Sequence, residues 1–350
     1  MAMSGKVIRV MVVDDSAVAR SYLISGLSAK PNIQIAGFAV DAADALQKVG
    51  ELRPDVITMD VEMPGTGGIE LIRKLLPAYR VPVILVSSLN LRVFDALDAG
   101  AVDFVRKPDG TQSKEEFINT LAQKIVVSAY AKVRPGRPAR AARAEVTAEP
   151  TAPLGPRPIL DGAVIGLGAS TGGTEATLEV LRRLPSDIPP MVIVQHMPPG
   201  FTKMYAERLD RICAMEVREA VDGDELHRGL ALVAPADFQC RVVRSGNRYR
   251  VACKPGEKVS GHRPSVDVLF RSMAENVKGP MAGIIMTGMG RDGADGLLSM
   301  RKAGAYTIGQ DKESSVVYGM PMVAFDIGAV QIQASCENIA GVLLRRLREL

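Results

Sequence analysis

Short β-branched runs alternating with amphipathic stretches constrain this chain most, because such alternation admits few folds besides layered α/β sheets. From Val7 to about Lys132 the apolar runs are VIRVMVV, IQIAGFAV, DVITMD, VPVILVSS and AVDFVRKP. Segments such as SAVARSYLISGLSA and DAADALQKVGEL follow them with helical spacing. Five such β-α units predict a doubly wound parallel sheet. A second series begins at DGAVIGLGAS and runs through TEATLEVLRRL, PMVIVQH, FTKMYAERLDRIC and GLALVAP. CRVVRSGNRYRVACK reads as a hairpin turning at Ser-Gly-Asn. SVDVLFRSMAENV, MAGIIMTG, GADGLLSMRKAG, AYTIGQD and a terminal helix in SCENIAGVLLRRLREL close the series. A second doubly wound α/β domain, three-layered and Rossmann-like, is expected, with a β-ribbon inserted.

Between the two series, residues 131–158 are rich in Pro, Ala and Arg and lack apolar periodicity, the composition of a flexible tether. The expected division is a first domain over 6–130, the tether over 131–158 and a second domain over 159–350. A length of 350 residues gives each domain enough chain to bury a core. No apolar run approaches the roughly 18–20 residues of a membrane span, so no membrane insertion is expected. The first apolar run meets Asp14 and Asp15 too early for a signal peptide, which makes a cytoplasmic location the default. Cys213, Cys240, Cys253 and Cys336 form no C-x-x-C pair, against a zinc site or a disulfide framework. The net charge of +4 comes largely from the tether, without interleaved aromatics, so no nucleic-acid partner is expected.

In a parallel α/β sheet, ligands bind beyond the carboxyl ends of the strands. The first series places Asp14 and Asp15, Asp60, Ser87 and Lys107 at such ends. Clustered carboxylates repel unless a cation sits among them, and oxygen ligands select Mg²⁺. Asp60 beside such an ion suits phosphoryl chemistry, with Lys107 and the Ser87 hydroxyl on the other oxygens. Singly, Asp15 or Ser16 would instead cap the next helix.

The stretches VMVVDDS, DVITMDVEMPGTGGIELI, VILVSS and DFVRKP resemble the receiver domain of two-component response regulators. The resemblance implies a flavodoxin-like fold, with Asp60 as phosphoacceptor, Asp14 and Asp15 with Asp60 as Mg²⁺ ligands, and Ser87 and Lys107 as phosphate contacts. It also implies Phe104 as the aromatic switch position. Thr66-Gly67-Gly68 stands where the family often has Met-Asp-Gly, a departure confined to one turn.

The loop GLGASTGGT, residues 166–174, opens the second series. It lacks the terminal lysine of a P-loop, so it is no ATP cradle of that type. Thr171 occupies the third glycine position of a dinucleotide fingerprint, and the next strand ends in Gln195-His196 rather than an acid. Ser170 instead sits at a strand-to-helix turn, where flanking glycines permit a sharp reversal. A serine nucleophile needs a base, and His196 ends a neighbouring strand, unlike His227 and His262. Asp292 would orient the base, with Asp295 as the alternative carboxylate. The order Ser170, His196, Asp292 differs from that of α/β-hydrolases.

GASTGGT, VQHMPPGFTKMYAERLD, GHRPSVDVLF and MTGMGRDGADG make residues 160–350 resemble the catalytic domain of the chemotaxis protein-glutamate methylesterases, the CheB family. The resemblance implies a phosphorylation-activated esterase for glutamate γ-methyl esters that also deamidates selected glutamines. Ser170 would be nucleophile, His196 base and Asp292 its partner, and the esterase step would need no cofactor. The Met289 N–H is a candidate oxyanion donor; the same glycine-rich turn is equally readable as a plain strand closure. Implied partners are methyl-accepting chemotaxis receptors as substrate and a chemotaxis histidine kinase as phosphodonor. The alternative is a response regulator whose C-terminal domain only binds a protein partner.

Overall fold

The computed structural model describes residues 6–63, 67–88, 92–110, 112–133 and 152–350. The chain divides into two compact units between Ala144 and Glu145. That division falls in the expected tether, of which 134–151 lie outside the described residues.

The first unit is built on β1 (Ile8–Val13), β2 (Ile33–Ala39), β3 (Val56–Asp60), β4 (Val83–Ser87) and β5 (Asp103–Arg106). They pair in parallel in the order β2-β1-β3-β4-β5. β3 and β4 are buried along their whole length, which is why their sequences read as continuous apolar runs rather than alternating ones. The strand order reverses between β1 and β3, so the ligand crevice opens beyond Val13 and Asp60.

The second unit holds β6 (Val164–Ala169), β7 (Met191–Gln195), β8 (Glu216–Glu219), β9 (Leu230–Val233), β10 (Gln239–Ser245), β11 (Arg248–Lys254), β12 (Met281–Ile285), β13 (Tyr306–Gln310) and β14 (Ile332–Ala334). Seven form a parallel sheet ordered β14-β13-β12-β6-β7-β9-β8, and β10 and β11 pair as the expected antiparallel ribbon. The order reverses beside β6, flanked by β7 and β12. Sequence patterning misses β8 and β14 for a physical reason. Both are edge strands, where pairing on one side suffices and no long apolar run is required.

Gly166 and Gly168 let the helix Val266–Asn276 lie directly on β6. A Cβ on Gly168 would fall 2.2 Å from Val266 Cγ1, and one on Gly166 would fall 2.9 Å from the Phe270 ring. Gly168→Ala is therefore expected to cost about 1–3 kcal/mol through overpacking. A urea titration followed by circular dichroism checks this, and an unchanged midpoint would contradict the close packing.

Candidate active site and acidic cluster

In the first unit, Asp14 and Asp15 follow β1 and Asp60 ends β3. One oxygen from each lies within 4.8 Å of the others. Asp14 and Asp60 are buried, while Asp15 is exposed. Lys107 Nζ, just past β5, donates to Asp60 Oδ2 at 2.5 Å, and the Glu62 N–H donates to Oδ1 at 3.0 Å. Asp14 Oδ1 accepts from the Ser16 N–H at 2.9 Å, but its Oδ2 is buried without a partner. Burial, the largest influence, pushes the Asp14 carboxyl up, and the charges of Asp60 and Asp15 add to it. The Ser16 N–H and the Lys107 charge oppose them without prevailing. An orphaned oxygen on a destabilised carboxylate, among oxygen donors only, fits a hard divalent ion such as Mg²⁺. The Ser87 hydroxyl at the end of β4 is buried and also has no protein partner. Phe104, buried in β5, lies edge-on to Phe94 with centroids 6.5 Å apart.

These electrostatics set a stability prediction. A carboxyl raised in the folded state contributes stability below its unfolded pKa and loses it as pH rises through the folded value. At neutral pH, charged Asp14 thus opposes folding. Asp14→Asn should raise the melting temperature of the unit at pH 7 without divalent ions. The gain should shrink in millimolar Mg²⁺ and in acid, as differential scanning calorimetry can test. A lower melting temperature at pH 7 would refute the assignment.

In the second unit, three adjacent strands deliver the predicted groups. Ser170 follows β6, and its N–H donates to the Thr287 carbonyl beyond β12 at 2.9 Å. His196 follows β7, its N–H bonded to the Ala169 carbonyl at 3.1 Å. Asp292 comes from the loop after β12 and is buried. Its Oδ2 accepts from His196 Nε2 at 2.9 Å and from the Val266 N–H at 2.8 Å. Its Oδ1 accepts from Ser265 Oγ at 2.6 Å and the Asp267 N–H at 3.1 Å. The carboxylate therefore sits on the amino end of the helix Val266–Asn276, where the dipole favours negative charge. Burial is the largest influence and pushes the Asp292 carboxyl up. The hydrogen bond and charge of His196, with Ser265 and the Val266 N–H, outweigh it and hold the carboxyl below its ordinary range.

A charged Asp292 only accepts, so His196 Nε2 carries a proton, and in the neutral imidazole Nδ1 is the nitrogen with the lone pair. Nδ1 is buried without a hydrogen-bond partner, so none joins it to Ser170 Oγ in this structure. The structure thus pairs His196 with Asp292 and places Ser170 on the adjacent strand end. Asp295 is half exposed and bound by Arg291 at 2.9 Å, and the carboxylate hydrogen-bonded to His196 is Asp292. The Met289 N–H has no acceptor among the described residues. Its neighbour Gly288 is pressed against Ser170: a Cβ there would fall 2.7 Å from Ser170 Cβ.

Three supporting residues escape sequence reasoning. Gln195 Nε2 donates to the Ser170 and His196 carbonyls at 2.8 and 3.1 Å, bracing both backbones. Ser265 caps the helix that holds Asp292, and a serine just before an amphipathic run was its available signal. His262, away from any strand end, stacks on the His196 ring. Nothing in its spacing signals that contact.

Residues 165–343 match the family CheB methylesterase, and residues 10–119 match the response regulator receiver domain. The chain is 47% identical to a protein-glutamate methylesterase/protein-glutamine glutaminase 2 of Syntrophomonas wolfei, over 98% of both chains. It is 44% identical to a protein-glutamate methylesterase/protein-glutamine glutaminase of Syntrophotalea carbinolica, covering 98% of this chain and 99% of that one. The crystal structure of the Thermotoga maritima CheB methylesterase catalytic domain is similar at 35% identity and a TM-score of 0.50, covering 53% of this chain and 97% of that one.

Proposed function

The chain belongs to the CheB methylesterase family and carries a receiver domain ahead of the catalytic one; from that premise we propose a phosphorylation-activated serine esterase acting on methyl-accepting chemotaxis receptors. It hydrolyses glutamate γ-methyl esters and deamidates selected glutamines on these receptors. The observation that carries the reading is the His196–Asp292 hydrogen bond, which holds the imidazole at the end of β7, next to the strand that presents Ser170.

Ser170 Oγ attacks the ester carbonyl as His196 Nδ1 takes its proton. The carbonyl oxygen becomes an oxyanion, for which the Met289 N–H is the proposed donor. As the tetrahedral intermediate collapses, the bond from carbon to the methoxy oxygen breaks and that oxygen takes the proton from His196, leaving as methanol; with a glutamine the C–N bond breaks and the protonated nitrogen leaves as ammonia. Water then repeats the sequence on the acyl-enzyme, with His196 again as base. Asp292 stays a carboxylate throughout and balances the imidazolium.

Asp60 is the proposed phosphoacceptor, with a histidine kinase as donor. Asp14, Asp15 and Asp60 would hold Mg²⁺, which neutralises charge on the transferring phosphoryl group. Lys107 and the Ser87 hydroxyl would take phosphoryl oxygens, and Phe104 would respond to the change at Ser87. The test is methanol release from methyl-labelled receptor, with and without a small phosphodonor. Asp60→Asn should keep the basal rate and lose all stimulation by the phosphodonor. Stimulation that survives the substitution would overturn the regulatory reading.

A further inference from the structure

A hydrogen bond fixes one point of a ring. Among its ring nitrogens His196 is hydrogen-bonded through Nε2 only, so the imidazole could still turn about the line from Cγ to that bond and change the direction of Nδ1. A second contact removes this freedom: the His262 ring lies parallel to the His196 ring, with centroids 3.7 Å apart and planes 10° from parallel. Resting on the esterase reading, we propose that His262 is a positioning residue that fixes the plane of the His196 imidazole during both proton transfers.

The backbone around His262 is built to hold that ring still. Val259 and His262 exchange both backbone hydrogen bonds, at 3.0 and 2.9 Å, closing a tight turn. That turn places Ser260 and Gly261 at φ of 53° and 82°. Three residues later in the same segment, Ser265 Oγ donates to Asp292 at 2.6 Å. One short strap therefore touches the face of the imidazole and the carboxylate that binds its edge. Buried Gln239 staples both ends of the strap. Its Nε2 donates to the His262 carbonyl at 3.3 Å and to the Glu257 carbonyl at 2.8 Å, while its Oε1 accepts from the Ser265 N–H at 3.0 Å. Arg263, between them, turns to the Gly256 carbonyl at 2.8 Å and to Asp237 at 3.5 Å.

The contribution is geometric. Misdirecting Nδ1 affects transition states that need an aligned proton acceptor, and leaves receptor docking untouched. A flat aromatic face should substitute for His262, whereas an aliphatic group of similar volume should not.

The test uses the full chain with His262→Phe, His262→Leu and His262→Ala, each confirmed as folded by circular dichroism. Two readouts are taken: methanol release from methylated receptor, and the rate of covalent labelling of Ser170 by a fluorophosphonate probe. His262→Leu and His262→Ala should lower kcat and the labelling rate about 10- to 100-fold, with KM changed less than about twofold. His262→Phe should restore both rates to within about threefold of the original. If His262→Ala fails to fold, the comparison of His262→Phe with His262→Leu carries the test. Equal rates in those two variants, or a change confined to KM, would overturn the proposal. An unsubstituted enzyme that labels at Ser170 yet releases no methanol would strike the substrate assignment, leaving His262 judged by the labelling rates. One that does neither overturns both.

Discussion

Ser170→Ala is expected to lower methanol release from methylated receptor by about 10⁴-fold or more, with KM nearly unchanged. The side chain is half-buried at the end of β6, and its loss removes the only nucleophile the mechanism supplies. The surroundings should tolerate the change. The turn is held by backbone contacts, Ser170 N–H to the Thr287 carbonyl and Gln195 Nε2 to the Ser170 carbonyl, and alanine keeps both. Thermal stability should therefore move little, and phosphorylation of Asp60 should proceed as before. Residual hydrolysis would come from binding and the oxyanion donor. Turnover near the original rate would remove Ser170 as nucleophile and with it the acyl-enzyme route. Measuring methanol release and Asp60 phosphorylation on one preparation separates loss of chemistry from loss of fold.

The strand ends of both sheets were legible because parallel strands buried on both faces must be continuous apolar runs, and a polar residue closing such a run stands out. Asp60, Ser87 and His196 are found this way. What the sequence hides is contact between segments remote along the chain. The glycines flanking Ser170 read as permitting a sharp reversal, yet Gly166 and Gly168 make room for Phe270 and Val266. The glycine pressed against Ser170 is Gly288, from the loop after β12. His262 stacks on His196 from outside any strand, so no periodicity marks it. A linear reading puts Asp292 first and keeps Asp295 as the alternative carboxylate. The structure separates them: His196 and the start of the helix Val266–Asn276, with its capping serine, converge on Asp292, while Asp295 pairs with Arg291.

That convergence makes Asp292→Asn the other large effect, with an expected fall in kcat of about 10³- to 10⁴-fold. The carboxylate receives four donors, two on each oxygen. An asparagine has one acceptor oxygen, so its NH₂ must face one of these donor pairs. Facing Ser265 and the Asp267 N–H, it leaves a buried backbone donor unmatched, at a cost of about 1–3 kcal/mol. Facing His196, it donates to Nε2 and drives the proton to Nδ1, which removes the lone pair that takes the Ser170 proton. Either orientation leaves one helix-start N–H unmatched, Asp267 in the first and Val266 in the second, and the second also selects the inactive tautomer. The pH dependence carries the sign. A carboxyl held below its ordinary range stabilises the fold above the unfolded pKa of about 4, and that stability is lost as pH falls through the folded value. The stability gap between the original chain and Asp292→Asn should therefore be full at pH 7 and close in acid. Asp295→Asn provides the contrast: half exposed and paired with Arg291, it should leave kcat within about twofold. Equal losses in the two variants would mean that the carboxylate acts through general charge at the loop rather than through the His196 tautomer.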